Sequence, residues 1–200
     1  MACDGHFVAT EFHKELIEKW FGSKIKDNIH VVGFPMNWER CIRQEIDTTI
    51  KVEKEDLILF PHRLDKEKCP EVFDKLAKDF PQYKFIKTLD VTKNKEEYYE
   101  LLRRAKIVFS ASKQETYGIG TVEGVVLNCL PIVPDSLSYE ELYNSCFQYR
   151  TYKEAKQKIK DMMTRTNKKF FKEQLTHNRR RLINNSLQSI KKIVKVMKNG

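Results

Sequence analysis

Apolar positions along this 200-residue chain change their period several times, and each change marks an element. Between residues 56 and 150, short runs of branched and aromatic side chains alternate with stretches of helical spacing, the pattern of βαβ units around a parallel sheet. Asp56-Leu57-Ile58-Leu59-Phe60 reads as a strand running into Pro61-His62-Arg63. Pro70 suits the first turn of a helix, and Val72, Phe73, Leu76, Ala77 and Phe80 behind it make a stripe that packs on a sheet. Tyr83-Lys84-Phe85-Ile86 is the second strand, residues 95–104 form a helix with Tyr98, Leu101 and Leu102 inward, and Ala105-Lys106-Ile107-Val108-Phe109-Ser110 is the third strand. A helix over roughly residues 120–128 leads to Leu130-Pro131-Ile132-Val133-Pro134. That is a short buried strand, with its prolines expected at the ends because proline donates nothing to a central ladder. Ser138-Tyr139-Glu140-Glu141 starts another helix with Ser138 as its cap, and residues 152–198 read as one or two long amphipathic helices.

The beginning of the chain is organised differently. Phe7-Val8-Ala9-Thr10 and Glu11 to Phe21 read as strand then helix, and Ile29 to Pro35 as a further strand ending in a turn. A βαβ fragment of this size cannot close its own core. The expected division is therefore a remnant of a preceding domain over 1–36, a polar linker over 37–55, a Rossmann-like α/β domain over 56–150 and basic helices over 151–200.

Composition bounds the reading. Hydrophobic residues at 40% and charged residues at 32% are globular values. No run approaches the ~18 apolar residues of a membrane span, and the first residues lack a signal peptide's regions, so a cytoplasmic protein is expected. Cys3, Cys41, Cys69, Cys129 and Cys146 are an odd number without a C-x-x-C spacing, which fits reduced structural thiols rather than a disulfide framework or a zinc site. The net charge of +9 is unevenly held: residues 151–200 carry 15 Lys and Arg against three Asp and Glu, and the rest carry 22 against 25. Arg179-Arg180-Arg181, Lys191-Lys192, Lys195 and Lys198 either face solvent or meet nucleic-acid phosphates.

Candidate chemistry falls at carboxyl ends of strands, where open α/β sheets place ligands. His62 and Arg63, with Lys66 and Lys68 downstream, offer a guanidinium fork and ammonium groups suited to a diphosphate; a basic loop can equally be merely solvated. Glu115-Thr116-Tyr117-Gly118-Ile119-Gly120-Thr121 is a glycine-bearing loop opening a helix, whose N-terminal N–H groups suit an anion. Glu123 lies one turn into that helix, where a carboxylate can accept from sugar hydroxyls. His6, His13, His30 and His177 show no ligand spacing, and Tyr98, Tyr99 and Tyr117 are core or wall residues before they are stacking platforms.

Glu115 and Glu123, with seven residues between them around Tyr117-Gly118, together with Arg63 and Lys68 five positions apart, resemble the donor-binding signature of retaining, group-1-like glycosyltransferases of the GT-B fold. The resemblance covers residues 56–145, and the segment from Val8 to Pro35 is similar to the stretch that closes the family's N-terminal domain. Pro61-His62-Arg63, Pro70, Phe73, Glu97-Tyr98-Tyr99 and Pro134 to Glu141 look most like enzymes that mannosylate queuosine in tRNA; phage enzymes that glycosylate modified DNA bases share the pattern.

The resemblance implies a donor that is a UDP- or GDP-sugar, with no metal or other cofactor required. Arg63 and Lys68 would hold its diphosphate and neutralise charge on the leaving nucleotide, helped by the N–H groups of Gly118, Ile119 and Gly120. Glu115 would hold the transferred sugar and Glu123 the ribose, with His62 and Tyr117 beside the donor. A nucleic-acid acceptor, tRNA or DNA, and a partner chain carrying the N-terminal domain are the expected partners. The sequence departs from the family at Lys87-Thr88-Leu89-Asp90, where a glycine-rich turn is usual, and in the absence of most of an N-terminal domain. Two other readings stay open: a binding module that holds a nucleotide sugar without transfer, and a nucleic-acid-binding protein acting through residues 151–198.

Overall fold

A computed structural model describes residues 5–38, 53–164 and 168–199. Cys3, Cys41 and most of the expected linker lie outside the described residues. The α/β expectation holds: five parallel strands stand in the order β4-β3-β5-β6-β7, namely β4 Lys84–Lys87, β3 Glu55–Phe60, β5 Ala105–Phe109, β6 Leu130–Pro134 and β7 Gln148–Tyr149. Leu57 to Phe60 and Ile107 to Phe109 are fully buried, as strands covered on both faces must be, which is why they read as continuous apolar runs. From β3 the chain winds outward to β4, then returns to the other side of β3 and winds on through β5. The loops after β3 and β5 therefore diverge and leave a crevice at their carboxyl ends.

Helices α2 (Pro70–Asp79), α4 (Lys95–Arg104) and α5 (Ile119–Val126) seal the sheet through Phe73 and Leu76, Leu101 and Leu102, and Val122, Val125 and Val126. Helix α5 docks closer than side chains would allow. A Cβ on Gly124 would stand 2.5 Å from Val108 Cγ1, and one on Gly120 would stand 2.4 Å from the Pro61 carbonyl oxygen. At the other end of the sheet the Lys54 ammonium donates to the carbonyls of Leu102 (3.2 Å) and Leu127 (2.7 Å), tying together the ends of α4 and α5.

Two expectations need correction here. Pro131 sits inside β6, in register with Val108, rather than at its end. The strand tolerates it because β7 joins β6 only at Val133 and Pro134, so the missing N–H falls where no strand is paired. Ser138 does not cap the single turn α6 (Tyr139–Leu142); its hydroxyl is buried without a hydrogen bond among the described residues.

The first residues form β1 (His6–Val8), α1 (Glu11–Phe21) and β2 (Ile29–Val31), a separate two-stranded parallel sheet. Two strands alone are marginal in water, and this pair is fastened to the rest of the molecule. Thr10 caps α1 by accepting from the His13 N–H (3.1 Å) and donates to the Thr116 carbonyl (2.9 Å). The Glu141 carboxylate accepts from the Glu11 N–H at 3.1 and 3.2 Å. After α7 (Tyr152–Met163), the long helix α8 (Lys168–Asn199) runs back to the same region, where the Met36 N–H donates to Ser186 Oγ (2.8 Å).

Part of the basic tail is spent internally. Arg179 Nε donates to the Val126 carbonyl (2.6 Å) at the end of α5, and Arg181 donates to those of Glu141 (2.9 Å) and Leu142 (2.6 Å) at the end of α6. Both arginines thus cap helix C-termini, and of the Arg179-Arg180-Arg181 run only Arg180 is exposed. Among the described residues no helix is long and apolar enough to cross a membrane. Because Val108 leaves no room beside Gly124, Gly124→Ala is expected to lower stability by about 1–3 kcal/mol. Urea denaturation followed by circular dichroism measures it, and an unchanged midpoint would contradict so tight a docking of α5.

Candidate functional site

The crevice is walled by the loop after β3 and by the loop that opens α5. In the first, Pro61-His62-Arg63 leaves β3, and a turn over Lys66–Lys68 ends at Cys69, whose left-handed backbone (φ 51°) redirects the chain into α2 with Pro70 in its first turn. This turn carries Lys68 inward. Its ammonium, 9% exposed, donates to the Gln114 carbonyl (2.7 Å) and pairs with Glu115 Oε2 (3.0 Å). The two walls are also tied by the Lys113 N–H on the Glu67 carbonyl at 2.7 Å. Burial alone would raise the Glu115 carboxyl, but the Lys68 ammonium and the Gly118 N–H outweigh it and hold the group below the usual carboxylate range.

Arg63 behaves in the opposite way. Its side chain is 72% exposed and, among the described residues, pairs with acids of its own loop, Asp65 at 3.3 Å and Glu67 at 3.4 Å. Pairs so open to water are weak, which leaves this guanidinium available to an incoming anion. His62 is buried, with its ring edge on Phe60 (centroids 5.1 Å apart) and Nε2 3.4 Å from Thr121 Oγ1. Burial pushes its pKa down to about 4 against the pull of the Glu115 carboxylate. At neutral pH it is an uncharged hydrogen-bonding group rather than a cation.

In the second wall, Gly118 has a left-handed φ of 73°, and a Cβ there would stand 3.0 Å from Tyr139 Cε1. Both demands favour glycine here. Tyr139 is itself locked in place, its hydroxyl 2.8 Å from Ser110 Oγ at the end of β5. The Val122 N–H closes the first turn of α5 on the Gly118 carbonyl (3.0 Å), so the N–H groups of Ile119, Gly120 and Thr121 have no carbonyl in the helix to bond, while that of Gly118 serves Glu115. Ile119 is exposed at this mouth. Tyr117 is buried, and Phe34 of the first unit stacks on its ring at 5.1 Å; burial pushes its hydroxyl up to about 12.

Glu123 has company the sequence did not disclose. The carboxylate, 3% exposed, accepts from Lys95 Nζ (2.8 Å), the Tyr98 hydroxyl (2.9 Å) and the Tyr99 hydroxyl (2.9 Å), all on α4. Burial, reinforced by the Glu123 charge, holds the Tyr98 hydroxyl well above its ordinary range. The structure thus gathers Arg63, Lys68, Glu115, His62 and residues 117–120 around one rim, with Glu123 two residues beyond Thr121 in its own polar nest. Where the sequence departs at Lys87 to Asp90, a one-turn helix α3 (Thr88–Val91) stands instead, with Leu89 and Val91 exposed and Thr88 Oγ1 donating to the Phe60 carbonyl (3.3 Å). Among the described residues, no three His, Cys, Asp or Glu side chains cluster as metal ligands would.

Solved glycosyltransferases share this fold. A glycosyltransferase of Rickettsia africae superposes with a TM-score of 0.74 over 98% of this chain and 63% of its own, at 17% identity. S. aureus TarM, solved with UDP bound, superposes with a TM-score of 0.72 over 96% of this chain and 43% of its own, at 15% identity. The chain has the GT-B glycosyltransferase fold. Among curated proteins, the tRNA-queuosine alpha-mannosyltransferase of Drosophila melanogaster is 24% identical over 166 residues, which are 66% of this chain and 44% of that enzyme. No family model matches. The chain thus spans less than half of that enzyme's length.

His62 gives this GT-B rim a pH signature. Its pKa in the folded chain, about 4, lies below the 6.5 ordinary for imidazole. As pH falls between those values the unfolded chain binds a proton that the folded chain refuses, so stability falls with pH across that window. The wild type should lose up to about 3 kcal/mol there that His62→Gln does not lose. Urea midpoints at pH 7 and pH 4.5 measure the difference, and parallel losses in both proteins would refute a neutral buried imidazole.

Proposed function

We propose that this chain is the nucleotide-sugar-binding half of a retaining glycosyltransferase, acting with an acceptor-binding domain on the same or another polypeptide. The observation that carries the reading is the convergence on one rim of an exposed guanidinium, a buried ammonium on Glu115 and the open N-terminus of α5. This is an anion site with a carboxylate set beside it, which suits a sugar joined to a diphosphate. TarM, with UDP in its crystal, and the fly mannosyltransferase support the substrate class.

In this reading Arg63 leaves its weak loop partners for the diphosphate, where it neutralises the charge that grows as the bond from phosphate oxygen to the anomeric carbon breaks. Lys68 holds Glu115 ionised so that it accepts from hydroxyls of the departing sugar. Glu123 accepts from the ribose, and the N–H groups at Ile119 and Gly120 share the phosphate charge, the Gly118 N–H being already engaged by Glu115. The acceptor hydroxyl bonds to the anomeric carbon on the face the nucleotide leaves, and its proton passes to the leaving phosphate oxygen. No protein nucleophile and no metal are required. The acceptor best supported is a nucleic acid, from the likeness to the tRNA-modifying enzyme and from Arg180, Lys191, Lys192, Lys195 and Lys198, which are exposed on α8.

A second reading is a module that binds a nucleotide sugar without transferring it. It is favoured by one fact: every residue assigned within the crevice serves the donor, and none there serves the acceptor. Calorimetry with UDP- and GDP-sugars separates the possibilities. Binding should weaken about tenfold or more in Arg63→Ala and Glu115→Gln. Transfer of labelled sugar to total tRNA or DNA, with an acceptor-domain polypeptide supplied, would decide for the enzyme; binding that never leads to turnover decides for the module. No affinity for any nucleotide sugar ends both.

A further inference from the structure

Lys95 is out of place by local rules. It is the first residue of α4, where an ammonium opposes the positive end of the helix dipole, while Asn94, Glu96 and Glu97 around it suit that end. What holds it there lies outside its own helix. Its Nζ stands 2.8 Å from Glu123 Oε1, with the Tyr98 and Tyr99 ring centroids 4.6 and 4.9 Å away. A residue that breaks a local rule to meet a buried carboxylate near a ligand crevice points to function.

The lone pairs can be counted. A carboxylate offers about four acceptor directions. Oε1 takes Lys95 and Tyr99, and Oε2 takes Tyr98, which leaves one. A vicinal diol donating through both hydroxyls needs two. Of the three resident donors, Tyr99 is buried and Tyr98 half-buried, whereas the Lys95 side chain is 47% exposed against 4% for Glu123. Lys95 is therefore the donor that can step aside into water.

We propose that Lys95 is a positioning residue for the nucleotide's ribose: it keeps the Glu123 carboxylate aimed before the nucleotide arrives, then yields one acceptor direction to the incoming diol. The freed ammonium donates to a hydroxyl oxygen of the same diol, so no hydrogen bond is lost in the exchange. This rests on the donor-site reading above, in which Glu123 meets the ribose. The nest recognises a cis-diol and is indifferent to the base.

The test is calorimetry on the full chain at fixed ionic strength with UDP and GDP and with their 2′,3′-dideoxy forms. The wild type should prefer the ribonucleotide by about tenfold or more, since hydrogen bonds to a charged group are at stake. Lys95→Met should narrow that preference to about threefold or less while leaving dideoxy binding unchanged, and Lys95→Arg should restore most of it. Tyr98→Phe and Tyr99→Phe, which remove a donor without changing charge, should narrow it by smaller steps. Thermal melts show that each variant is folded. A Lys95→Met chain with the full preference overturns the proposal and leaves the donor reading standing. Equal weakening of both nucleotide forms also overturns it, because Lys95 would then act on the phosphates. A wild type that binds neither UDP nor GDP removes the donor reading, and this proposal falls with it.

Discussion

Everything at the crevice depends on how closely α5 presses against the sheet. The Pro61 carbonyl occupies the place a side chain at position 120 would need, and Val108 the place of one at position 124. Two glycines a turn apart therefore set the depth of the helix, and its depth sets the rim. Because the start of α5 touches the loop after β3, Thr121 reaches His62 and Glu115 reaches Lys68. Because its next turn lies against β5, Glu123 stands within reach of α4. A helix docked one methyl group farther out would keep the fold and disperse these contacts.

Two carboxylates eight positions apart are thus given different surroundings. Glu115 pairs with one buried ammonium and accepts from the backbone N–H groups of Thr116 and Gly118. Glu123 accepts from three side chains of a single helix. Neither is a buried charge left alone, which would cost several kcal/mol. The basic groups divide in the same way. Lys68, Arg179 and Arg181 are committed to internal acceptors, while Arg63 and the lysines late in α8 are held loosely or face water.

The parallel sheet and its helices were legible because burial on both faces writes continuous apolar runs, as in Leu57 to Phe60, and because Pro70 marks its own helix start. The rim residues were legible as a spacing of Glu, Gly, Arg and Lys. What stayed hidden were partners distant in sequence. Lys95, Tyr98 and Tyr99 find Glu123 across 24–28 residues, and Thr10 finds Thr116 across 106. Such pairs leave no period in the chain. Arg179 and Arg181 read as surface charge because nothing local announces that Val126 and Leu142 end helices beneath them. Pro131 misled because a proline in a strand is judged by which neighbour it faces, and that depends on where β7 begins.

The loop that carries Glu115 is gripped from two sides. Lys68 holds it from the loop after β3, while the Thr10 hydroxyl on Thr116 and the Phe34 ring on Tyr117 hold it from the first unit. A loop shared in this way makes thermodynamic linkage unavoidable. Whatever displaces the first unit alters the loop, and whatever occupies the loop alters the energy of displacing that unit, by the same factor in each direction. The two-stranded sheet at the start of the chain is therefore a second handle on the same site.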